Sequence, residues 1–119
     1  MLPEKNNSEL EERFDHEQFR LKTQLQIAKD FAVHGFEFAT TFSLHAYAIE
    51  ALVDTLAEAL MYMIEKQSSS WHPLLYTMDV SEQSYLQLAT SNEPNWLVEF
   101  TWIVLRREAL KVFFREKYS

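Results

Sequence analysis

A single glycine, Gly35, stands in a chain of 119 residues, where ordinary usage of about 7% would supply roughly eight. Glycine-rich phosphate loops are excluded, because the backbone approaches a phosphate closely only where side chains are missing. Families of tight hairpins are disfavoured too, since their turns draw on glycine for positive φ. What remains open to such a chain is helix. The expected fold class is all-α: an antiparallel helical bundle of three long helices plus one short helix, with residues 1–7 as a polar tail and 8–119 as one helical domain.

Periodicity places these helices. Ser8, Glu9, Leu10 and Glu11 form a capping-box pattern, in which the serine hydroxyl and the glutamate side chain satisfy each other's backbone amides. Leu10, Phe14, Leu21, Leu25, Ala28 and Ala32 follow at helical spacing. Gly35 is the natural stop, able to take a left-handed closing conformation; the alternative is continuation to Ala39, and a break or kink between 34 and 43 is preferred. The second helix is expected from about Thr41 to Gln67, with His45, Ile49, Leu52, Leu56, Leu60 and Met63 on one face and Glu50, Asp54, Glu58 and Glu65 opposite. Trp71, His72 and Pro73 open an irregular connection. Asp79, Val80, Ser81 and Glu82 repeat the capping-box pattern and start a short helix over about 80–90. The last helix runs from Pro94 or Trp96 to Lys117, and its Trp96–Leu105 segment is apolar on every side except at Glu99.

Charge and cysteine content exclude further classes. The net charge of −7 opposes nucleic-acid binding, whose affinity comes largely from phosphate neutralisation. The balance is uneven: residues 1–66 hold 12 acids and 6 bases, residues 106–119 hold 5 bases and 2 acids. With no cysteine, disulfides, thiolate metal sites and thiol catalysis drop out. The most apolar run is about half the roughly 20 residues a membrane helix needs. A soluble cytoplasmic protein with no membrane or nucleic-acid partner is expected.

The residues able to carry chemistry are few. Glu12 and His16 sit four apart on one helix face, but the carboxylate–histidine motifs of metal-binding bundles are missing, so no metal is expected. Ser70, His72 and Asp79 share one stretch without the glycine-flanked elbow of a serine hydrolase; the chain reads as a non-enzyme. His45 on an apolar stripe requires a hydrogen-bond partner, and with Tyr47 and Tyr62 it defines an alternative function, a small-molecule or cofactor pocket inside the bundle. The leading expectation is self-association as a homodimer, or docking of a helical protein partner, with no cofactor. The interface would use Trp102, Phe113 and Phe114 as aromatic anchors, with the basic ridge of Arg107, Lys111 and Arg115 at its rim against acidic helices.

Overall fold

The computed structural model describes residues 12–118, of which 78% are helical, with no strand among them. Five α-helices are named in chain order: α1 (Glu17–Val33), α2 (Ile49–Lys66), α3 (Ser68–Thr77), α4 (Glu82–Ala89) and α5 (Trp96–Tyr118), with a 3-10 turn at Thr40–Ser43 between the first two. Helix α5 lies against α1, α2 and α4, and α3 bridges α2 and α1. The all-α class follows from the glycine deficit and the stripes; the connection at 68–77, expected to be irregular, is instead a second short helix. Trp71, Leu74 and Leu75 recur at helical spacing and are buried, while Pro73 sits on the exposed side, where its missing N–H costs one bond and no packing.

The capping box at 8–11 lies outside the described residues. Residues 12–14 form one helical turn that breaks at Asp15 and His16, so α1 begins later than the sequence suggests. The guanidinium of Arg20 holds the break, donating to the Phe14 carbonyl at 2.7 Å and to the Tyr47 carbonyl at 2.9 Å.

The buried face of α1 also differs from the stripe read in the sequence. Phe19, Thr23, Gln24, Gln26, Ile27, Asp30 and Phe31 face inward, while Leu25 and Ala32 are exposed. Four of these inward residues are polar. Each has a hydrogen-bond partner inside the protein, which removes most of the penalty of burying it. Val33 closes the helix, and Gly35 takes φ +87, as a left-handed stop requires.

Helix α2 begins at Ile49 rather than Thr41. Gln24 is the reason. Its buried amide donates to the carbonyls of Phe42 and His45, both at 2.8 Å, and accepts the N–H of Tyr47 at 2.8 Å. These bonds hold residues 42–47 in a compact turn and leave them unavailable for helix. Phe36, Phe38 and Phe42 fold beneath the turn, the last two stacked at 4.2 Å between centroids.

Two apolar clusters result. The larger joins Ile27 and Phe31 to the inward face of α2, to Trp71, Leu74 and Leu75, and to Phe100, Val104 and Leu105 of α5. The smaller gathers Phe19, Ala109, Leu110, Val112 and Phe113 at the other end of α5, with Phe14 and Phe114 against it.

Candidate functional site

The first half of α5 is apolar all round, but the chain does not cover it completely. Helix α4 has no buried residue and grips α5 through Tyr85, whose ring meets Trp71 at 5.1 Å and Phe100 at 5.3 Å. Burial raises the Tyr85 pKa, in keeping with a phenol held against aromatic rings. Alongside this contact, Leu86, Val98 and Trp102 remain 44%, 46% and 45% exposed.

Two depressions follow the α4–α5 seam and share Ser84 and Ile103. One, of about 460 Å³, is lined by Gln87, Leu88, Glu99 and Trp102 beside the shared pair. The other, of about 660 Å³, adds Tyr76, Asp79, Val80, Ser81 and Arg107. Together they form a groove with an apolar end at Trp102 and Leu88 and a polar end at Arg107. Arg107 is committed to the fold: its Nε donates to the Asp79 carbonyl at 2.9 Å, and its Nη2 pairs with the Asp79 carboxylate. Asp79 stands at φ +61, a conformation that aspartate tolerates better than most residues. The clamp fixes the turn that leads into α4. The cap of that helix is Ser81, whose hydroxyl accepts the Ser84 N–H at 3.0 Å, not Asp79 as the tetrapeptide pattern suggests.

The remaining expected interface residues are used within the chain. Phe113 is fully buried beneath Phe19 and the Arg13 guanidinium, which lies 5.1 Å from its ring centroid. That overturns its role as a surface anchor, because residues 13–19 fold back over the end of α5. Phe114 is half-buried between Phe113 and Tyr118. Arg115 donates to Gln26 at 2.9 Å. Lys111 is no rim charge: its ammonium lies 2.5 Å from Asp30 Oδ2, 2.5 Å from the Thr77 carbonyl and 2.9 Å from Glu108 Oε1.

Glu108 is the residue the sequence reading missed. It is 0% exposed, and neither of its carboxyl oxygens accepts a hydrogen bond; the Lys111 contact has ion-pair distance without hydrogen-bond direction. Burial, and then the neighbouring Asp30 carboxylate, push its pKa up to about 9. At neutral pH Glu108 therefore carries a proton. Burial alone would lower the Lys111 pKa, but its bond to Asp30 and its close contact with Glu108 outweigh that and raise it. One ammonium, one carboxylate and one carboxylic acid make the cluster electrically neutral. The spacing of Glu108 and Lys111, three apart on one helix, was the available signal, but it reads equally as a surface pair.

The pocket expected around His45 does not form. With α2 starting at Ile49, His45 falls in the preceding turn and is exposed. Tyr47 is half-buried, its hydroxyl 2.9 Å from Thr41 Oγ1. Tyr62 lies on the solvent side of α2 against Phe36. Among the described residues no group of three or more histidine and acidic side chains is placed to hold a metal ion, and no helix is long and apolar enough to cross a membrane. Compared with known proteins, the chain matches no family model, no curated protein and no solved structure.

Proposed function

We propose that this chain is a non-enzymatic helical protein that self-associates as a homodimer through the α4–α5 face. The observation that carries this reading is Trp102, 45% exposed on the central helix between Val98 and the Leu88–Ile103 depression. Exposed aromatics set in apolar surroundings dominate the energetics of protein interfaces, and contiguous apolar patches mark interaction sites. A two-fold contact would set each Trp102 against the Leu88–Ile103 depression of the other copy, which makes the face self-complementary. The perturbed acid of the molecule, Glu108, is sealed from solvent, where no substrate reaches it, which favours a structural role over a catalytic one. The exposed setting of His45 takes away the observation on which a cofactor pocket rested.

Sedimentation velocity at tens of micromolar tests the proposal. Wild type is expected to sediment as a dimer and Trp102→Ala as a monomer with unchanged helix content. A monomeric wild type overturns self-association. A cytoplasmic location belongs to the same proposal and is checked by cell fractionation.

A further inference from the structure

Two solvent-facing helix faces carry opposite charges at the same pitch. On α1, Lys22, Leu25 and Lys29 are exposed in a row with steps of three and four residues. On α2, Glu65, Tyr62 and Glu58 are exposed in a row with the same steps when read in the opposite direction. Each row spans seven residue steps, about 10.5 Å of helix. Laid antiparallel, Lys22 faces Glu65, Leu25 faces Tyr62 and Lys29 faces Glu58. The apolar pair at the centre is matched as well: Leu25 is 44% exposed and Tyr62 43%. Arg115 adds a third cation to the α1 side, lining a depression of about 230 Å³ with Lys22, Leu25 and Lys29. Asp54 extends the acidic row by one turn.

Neither row is used up inside the chain. The side chains of Lys29, Glu58 and Glu65 have no hydrogen bond or ion pair among the described residues, and Lys22 shares Glu116 while staying largely exposed. Because both faces point to solvent, one chain cannot bring them together. We infer that the Lys22–Leu25–Lys29 face of α1 docks antiparallel on the Glu58–Tyr62–Glu65 face of α2 in a second copy of this protein. The occupant is a second copy because both halves of the match, charge and apolar centre alike, are written on the same sequence.

The net charge of −7 per chain does not forbid this contact. The molecule measures 34 × 33 × 26 Å, so the bulk of the two charges is separated by several Debye lengths of about 10 Å at 0.1 M salt. Facing ion pairs about 4 Å apart lie well inside that length and keep their attraction. High salt removes it.

This contact is separate from the α4–α5 face, so the test is run on chains that carry Trp102→Ala. At about 0.1 M salt the Trp102→Ala parent, monomeric at tens of micromolar, is expected to self-associate weakly in sedimentation equilibrium as its concentration rises toward about 1 mM. Lys22→Glu with Lys29→Glu, and separately Glu58→Lys with Glu65→Lys, are each expected to weaken association at least about tenfold, the loss that like charges facing one another impose. All four reversals in one chain keep the net charge at −7 and are expected to restore association to the parent level. Circular dichroism confirms that every variant is folded. A Trp102→Ala parent that stays monomeric up to about 1 mM, the weak end of measurable association, overturns the inference and leaves the α4–α5 proposal standing. Pairwise reversals without effect, or a fourfold reversal no better than the pairs, overturn it as well.

Discussion

The ammonium of Lys111 lies 2.5 Å from Asp30 Oδ2, joining α5 to α1 across 81 residues of sequence. The same nitrogen donates to the Thr77 carbonyl at the end of α3, so one side chain ties three helices at a point where each would otherwise present an unsatisfied polar group. Gln26 supports the arrangement by donating to the other oxygen of Asp30 at 2.9 Å. Beneath it Glu108 is neutral, since a second full negative charge at 0% exposure would have only the ammonium already paired with Asp30 to offset it.

Glu108 should make the protein less stable as pH rises. Below its ordinary pKa of 4.5 both folded and unfolded chains hold the proton, and the contribution is complete. Between 4.5 and about 9 only the unfolded chain releases it, so stability falls with pH by up to about 1.4 kcal/mol per unit. Glu108→Gln removes this titration. Urea unfolding is expected to give nearly equal midpoints for variant and wild type at pH 5, and a higher midpoint for the variant at pH 8. Parallel midpoint-against-pH curves would contradict a protonated Glu108.

Removing the cation should be far worse than removing the pair. Lys111→Met leaves Asp30 buried without its counter-ion, and a broken buried pair typically costs about 3–5 kcal/mol. Lys111→Met combined with Asp30→Asn should recover at least half of that. A double-mutant cycle in urea measures the coupling; additive losses would mean that the two groups do not act as a unit.

Gln24 and His45 should respond in opposite ways to the sequence-based ranking, which singled out the histidine. Gln24→Ala strands two carbonyls and one N–H, at about 1–3 kcal/mol for each group that water cannot reach. A loss of about 2–4 kcal/mol is expected, with amide exchange at Tyr47 accelerated toward that of an open loop. His45→Ala, at an exposed position, should stay within about 0.5 kcal/mol of wild type. Equal losses would refute the pinned-turn account.

Gly35→Ala should cost about 1 kcal/mol, the penalty of a left-handed conformation for a residue with a Cβ. Apart from Gly35 itself and its two chain neighbours, no heavy atom lies within 4 Å of where that Cβ would stand, so the cost is conformational and not steric. Gly35→Asn should recover part of it, because asparagine tolerates φ > 0. Thermal melting of the three chains checks the order Gly, Asn, Ala.

Local chemistry was legible in the sequence. The glycine deficit set the class, Gly35 marked the end of α1, the apolar face of α2 from Ile49 onward was read correctly, and the short helix over 80–90 and the extent of α5 were placed closely. These features depend on backbone propensity and on periodicity within one segment, which neighbouring residues encode. The inward face of α1 was not legible, because its four polar residues, Thr23, Gln24, Gln26 and Asp30, are buried only by virtue of bonds, three of the four to partners distant in sequence. For the same reason His45 reads as a core residue: the side chains that hold its segment out of helix, Gln24 and Arg20, lie 21 and 27 residues away from the His45 and Tyr47 carbonyls they bond there. Phe113 reads as a partner's anchor because nothing in its own helix reveals that residues 13–19 fold back over it. A polar side chain costs free energy when buried alone and little when paired, so which face is core was settled by partners that only the tertiary structure brings within hydrogen-bonding distance.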